Sequence, residues 1–142
     1  MALFDFFRKL NFFKDRSTDG LQEEDLDFQK WIAAHRNWRH RLLTYIDGLS
    51  TEELDEKIIS CDDRCDLGKW IHGNGRRFYG SETTFRQLQT DHAHFHRAAG
   101  EVIVCYKQHG ERDAKRALNG EFDRYSMHVV TGLEKLEQRV KQ

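Results

Sequence analysis

Three long stretches of the chain repeat apolar side chains in alternating steps of three and four, the period of a helix-bundle seam. The first, over about residues 22–48, carries Phe28, Trp31, His35, Trp38, Leu42, Tyr45 and Leu49. The second, over about 82–108, carries Phe85, Leu88, His92, Phe95, Ala99, Val102 and Tyr106. The third, over about 112–140, carries Leu118, Phe122, Tyr125, Val129, Leu133, Leu136 and Val140. Asn119-Gly120 weakens its first third without interrupting the period. Between the first two stretches, Ser50 and Glu53 are spaced as a capping box for the segment STEELDEKII. Asp62 or Asp63 is placed to cap a short helix bearing Leu67, Trp70 and Ile71, with Gly73 and Gly75 as its stop. Ser81 and Thr83/Thr84 introduce the second long helix, and Gly110 closes it. The pattern predicts an all-α fold: an antiparallel four-helix bundle of three long helices and one short one. The bundle domain spans 21–142, and an N-terminal segment and polar joint occupy 1–20.

Composition sharpens this picture. The 142 residues contain no proline, so nothing breaks a long helix from within, and charged residues make up 33%, which suits highly solvated outer faces. A net charge of −1 with no basic stripe gives no reason to expect a nucleic-acid partner. No run of about 18 apolar residues is present, and Asp5, Arg8 and Lys9 interrupt any signal-peptide core. Three cysteines, an odd number without secretory context, predict a reducing cytoplasm rather than a disulfide framework.

The chemistry lies on the seams. Buried imidazoles need partners, and here His35 and His92 occupy the seams of two different helices. His96 follows His92 by one turn on the same face, a spacing that lets two imidazoles share one metal. Eight histidines make such a pair weak evidence alone, but a third histidine from a facing helix and a thiol at a helix N-terminus strengthen it. Cys65, at or just before the first turn of the short helix, is placed where free N–H groups and the helix dipole favour thiolate. Three nitrogens and one sulfur complete a tetrahedral site suited to Zn²⁺ rather than to Mg²⁺ or Ca²⁺. The expected metal ligands are therefore His35, Cys65, His92 and His96. Cys61 and Cys105 read as packing residues. His40, His72, His94, His109 and His128 read as surface groups or neighbours of the ligands, and Asp91 as a carboxylate that could orient a ligand imidazole.

The same residues carry a family resemblance. His35 with Trp38, then CDLGKW at 65–70, then His92-x-x-Phe95-His96, resemble the signature of the chemoreceptor zinc-binding (CZB) domain. The resemblance extends from about Gln22 to Val140, with Phe122, Ser126, Val129, Leu133 and Leu136 similar to the family's closing pattern. It implies a 3-His/1-Cys zinc site in a homodimeric bundle regulating bacterial signalling proteins such as chemoreceptors and diguanylate cyclases. In those proteins the module is attached to an output domain. Here the expected output lies with an unidentified partner in trans.

Four protein ligands close a zinc site, and no HExxH arrangement or nucleophile–base pair is visible, so the chain is not expected to be an enzyme. The leading expectation is a zinc-responsive regulatory module of signalling and chemotaxis pathways. Its signal would be zinc level or oxidation of Cys65, since oxidising a zinc-bound thiolate to sulfenic acid makes it a poorer ligand. The alternative is a structural zinc site in a helical scaffold. A di-iron bundle is disfavoured because the seams lack inward carboxylates. Leu3, Phe6, Phe7, Leu10 and Phe13 share one helical face beside four basic and two acidic residues in 1–16. That segment is a candidate for peripheral membrane binding or partner docking, against a fold-back onto the bundle or pairing across a dimer.

Overall fold

The computed structural model describes residues 26–142, so the expectations for 1–20, including the face made by Leu3, Phe6, Phe7, Leu10 and Phe13, lie outside the described residues. The described chain is helical and contains no strand. In order it forms α1 (Phe28–Ile46), α2 (Glu56–Ile59), α3 (Asp66–Trp70), α4 (Arg76–Tyr79), α5 (Thr83–His109), α6 (Glu111–Ala117) and α7 (Asp123–Val140). Wide π-type turns over Ile71–Gly75 and Leu118–Phe122 link α3 to α4 and α6 to α7. Among the described residues no helix is long and apolar enough to cross a membrane.

The three predicted stripes become the core. Phe85, Leu88, Phe95, Ala99 and Val102 of α5, Phe122, Val129, Leu133 and Leu136 of the last rod, and Leu42 of α1 have no accessible surface. α5 packs along both α6 and α7, and α1 packs on α7 and α5. Gly110, at φ +94°, makes the α5–α6 corner in the left-handed region that favours glycine. At Asn119-Gly120 the helix widens by a π turn instead of ending, and Leu118 and Phe122 on either side remain buried.

Several boundaries differ from the sequence reading. α1 stops at Ile46, not Gly48; Gly48 turns at φ +77°, and Leu49 leaves the seam and is exposed. Trp38 and Tyr45 are only partly buried. Ser50 and Glu53 form no capping box. The Ser50 hydroxyl accepts from the Glu52 N–H at 2.9 Å in a local turn, and α2 begins later, capped by Asp55 on the Lys57 N–H. Neither Asp62 nor Asp63 caps α3; the cap is Cys65 itself, whose sulfur accepts from the Gly68 N–H at 3.3 Å. Gly73 ends the short helical run as expected, whereas Gly75 is itself helical and ends nothing. The backbone kinks at Gly73 (φ −115°, ψ −112°) and resumes in α4. α5 starts after Glu82 without a side-chain cap, because packing of Phe85 and Leu88 fixes its first turns.

α3 is anchored by aromatic packing. Trp70 lies 5.1 Å from Trp31 and 5.7 Å from Phe85, ring centre to ring centre, so one indole ties the short helix to both α1 and α5. Five residues earlier on the chain is Cys65, and this anchor fixes where its thiol points.

Candidate metal centre

Each predicted ligand arrives from a distinct local cause. His35 is carried in by the α1 stripe and is 2% exposed. His92 and His96 lie one turn apart on the core face of α5, 0% and 3% exposed. Cys65 comes from the N-terminus of α3 and is partly buried. The four are brought together: one donor atom from each lies within 4.8 Å of all the others. Among the described residues no other group of three or more His, Cys, Asp or Glu does this.

Proton placement shows what the cluster lacks. The His35 Nδ1–H donates to the Trp31 carbonyl at 2.8 Å, and the His96 Nδ1–H donates to the Ile59 carbonyl at 2.9 Å. A carbonyl oxygen only accepts, so in the neutral ring each Nε2 carries a lone pair. Both rings are held neutral. Burial lowers the His35 pKa to about 4 and lowers that of His96, the carbonyl bonds pulling the other way. Burial, reinforced by repulsion from His96 and His35, depresses His92 as well. His92 Nε2 sits 3.2 Å from both other Nε2 atoms, and its Nδ1 is buried with no hydrogen-bond partner among the described residues.

The His35 and His96 lone pairs therefore both face His92 Nε2 within a buried cluster, an arrangement that a shared cation can bridge once His92 presents its own Nε2 lone pair. The spacing fits one. Zn–N near 2.0–2.1 Å and Zn–S near 2.3 Å require tetrahedral N···N and N···S edges of about 3.4 and about 3.6 Å. Two of the three N···N edges, both to His92, are 3.2 Å, and the third, between His35 and His96, is within 4.8 Å. Cys65 Sγ lies 4.0, 3.3 and 3.6 Å from the nitrogens of His35, His92 and His96. The four residues present can hold a metal of this size and softness.

With this geometry in view, comparison with family models places residues 35–103 in a match to the chemoreceptor zinc-binding domain. This stretch belongs to the CZB family. The matched CZB stretch starts at the first of the four clustered residues and contains all of them, so the zinc that names the family and the cluster coincide. No curated protein and no solved structure is significantly similar to the chain.

Other expectations fare differently. In the metal-free state burial pushes the Cys65 thiol up, against the pull of the Gly68 and Leu67 N–H groups, so the helix N-terminus alone does not yield a thiolate. Asp91 does not orient a ligand ring. Its carboxylate points the other way, to the Gln87 amide at 3.3 Å and towards His128 at 3.8 Å. Cys105 is half-buried, not core, with its thiol beside the Glu101 carboxylate. Cys61 places its thiol on the Lys57 carbonyl at 3.3 Å, away from the cluster. Sequence reasoning missed the Trp31 and Ile59 carbonyls that set the ring tautomers; backbone acceptors carry no residue-type signal.

Proposed function

We propose that the chain is a zinc-responsive regulatory module of bacterial signalling, with His35, Cys65, His92 and His96 as the ligands of a single Zn²⁺. The observation that carries this reading is the convergence of three Nε2 atoms and one sulfur within 4.8 Å of one another. Zinc bound there would supply positive charge and a cross-link; the chain supplies the donors. His35 offers α1, His92 and His96 offer α5, and Cys65 offers the short α3. All coordination positions of a tetrahedral site come from protein, so the role is regulatory rather than catalytic.

The donors are not equally accessible, which favours sensing over stapling. The three histidines are buried, whereas Cys65 is the one partly exposed residue of the cluster. An oxidant entering from outside meets the thiol first, and sulfur oxidation removes a ligand from the only short helix in the set. We take the domain to be a four-helix antiparallel bundle that pairs as a homodimer in the cytoplasm and acts on a signalling partner in trans.

The test is a zinc titration of the whole chain against a chromophoric chelator, with and without peroxide or hypochlorite. One zinc per chain, weakened by oxidant, is the expected result. One zinc indifferent to oxidant would replace the redox sensor by a zinc-level sensor or a structural staple. Absence of zinc binding would overturn the proposal.

A further inference from the structure

We infer that Gly100 is a positioning residue for the metal centre: it is the notch in α5 that lets α2 approach closely enough for the Ile59 carbonyl to accept the hydrogen bond of the His96 Nδ1–H. This deepens the zinc reading above and rests on it for the consequence, although the positioning itself can be tested without metal.

Gly100 lies four residues after His96, hence on the same face of α5 one turn along. It is buried, and a Cβ built on it would fall 2.0 Å from the Ser60 hydroxyl oxygen, 3.2 Å from the Glu56 carbonyl oxygen and 3.3 Å from Ser60 Cβ. All three atoms belong to α2 or its C-terminal cap. The Glu56 carbonyl and the Ser60 side chain are thus seated directly on the bare Cα of Gly100. Rotating the Ser60 side chain would relieve the first contact but neither of the other two.

α2 is a single turn of four residues. A helix that short has no stability of its own, so its position is whatever its contacts make it. Those contacts are the buried Ile59 side chain, the Glu56–Lys107 ion pair at 2.8 Å and the seat on Gly100. The carbonyl that α2 delivers fixes the His96 tautomer and leaves Nε2 free for the metal site. A hydrogen bond at 2.9 Å tolerates little withdrawal, since beyond about 3.5 Å it is lost. A ligand histidine deprived of its outer partner typically weakens metal binding about 10–100-fold.

The test compares Gly100→Ala, Ser60→Val and the double variant Ser60→Gly/Gly100→Ala with the wild-type chain. Gly132→Ala serves as control, because its Cβ would meet chiefly the flexible end of Leu88 at 3.3 Å, in the packing of α5 with α7. Two readouts are taken: the ¹⁵N-detected ring protonation of His96 in metal-free protein, and zinc affinity by chelator competition. Gly100→Ala and Ser60→Val are expected to lose the protected His96 Nδ1–H signal and to bind zinc about 10-fold or more weakly. The double variant should recover both, and Gly132→Ala should change neither. Helix propensity favours alanine over glycine, so a loss at Gly100→Ala cannot be put down to a weakened α5. Ser60→Val approaches the same contact from the short segment and keeps the test valid if Gly100→Ala fails to fold. An unchanged His96 ring signal in both single variants would overturn the inference, whatever the zinc affinity. A wild-type chain that shows the ring signal but binds no zinc would instead overturn the metal reading on which the consequence rests.

Discussion

The long helices and the segment between them, residues 55–79, are held in place by different physics. α1, α5 and the α6–α7 rod each carry a continuous apolar stripe, and their buried side chains interlock over many turns. The intervening segment is built of helices four and five residues long, broken by a kink at Gly73. Such helices do not stand alone. Trp70, Ile59 and the Gly100 seat dock them, and Cys65 and the Ile59 carbonyl attach them to the histidine cluster. The rods have extensive packing besides the cluster, whereas the short segment shares its attachment points with it. On the sensor reading proposed above, a change at the cluster would reach the short segment first.

The most damaging way to break the comparison is to strike the rods. Phe122 has no accessible surface and its ring lies 5.1 Å from that of Phe95, which in turn is 5.0 Å from His35. Phe122→Ala should cost about 3–5 kcal/mol, lowering the urea midpoint and melting rods and short segment in one transition. If the segment instead melted separately while the rods held, Phe122 would not be the shared support described here.

How far the sequence foretold this division follows from the same physics. The rods were legible because a stripe of ten or more residues averages over local noise, and His35, His92 and His96 stood out as polar residues on apolar seams. Cys65 was legible from its place before a short helix. The segment 50–79 was where expectations failed. Ser50, Asp62 and Asp63 have the side chains of caps, yet Asp55 and Cys65 do the capping, because aromatic docking of Trp70 decides where α3 can start. Gly73 and Gly75 read as stops; Gly73 is one, but Gly75 stays helical, packed on Trp70 and Phe85, and leads into α4. Local preference loses to tertiary contact where elements are only one turn long.

Acid sharpens the comparison with a graded effect, small near pH 6.5 and growing as pH falls. In metal-free protein burial keeps His35 neutral down to about pH 4, while in the unfolded chain it takes a proton near its ordinary value of 6.5. His92 and His96 are displaced in the same direction. Between the two values the unfolded state binds more protons. The stability contributed by neutral burial is therefore complete above pH 6.5 and is lost as pH falls towards 4. Each ring contributes about 1.4 kcal/mol per pH unit across its window. Chelator-treated protein unfolded in urea at a series of pH values should show this decline, and flat stability between pH 6.5 and about 5 would contradict buried neutral imidazoles.

The smallest effects come from the thiols, and they separate the two regions most cleanly. Cys65→Ala removes one donor of four and the sulfur that accepts from Gly68. Zinc affinity should fall but not vanish, because three nitrogens remain, and amide exchange should quicken in α3 while α5 and α7 stay protected. Cys105→Ala should leave zinc affinity unchanged. Cys105 lies nine residues beyond His96 on the same straight α5, and at about 1.5 Å per residue that places it roughly 14 Å along the helix axis. Its thiol faces the Glu101 carboxylate, which pushes its pKa up after burial has done so. No rotamer spans that distance to the cluster. A Cys105 variant that lost zinc while Cys65→Ala kept it would require α5 to be placed differently relative to α3, and with it the division between scaffold and responsive segment.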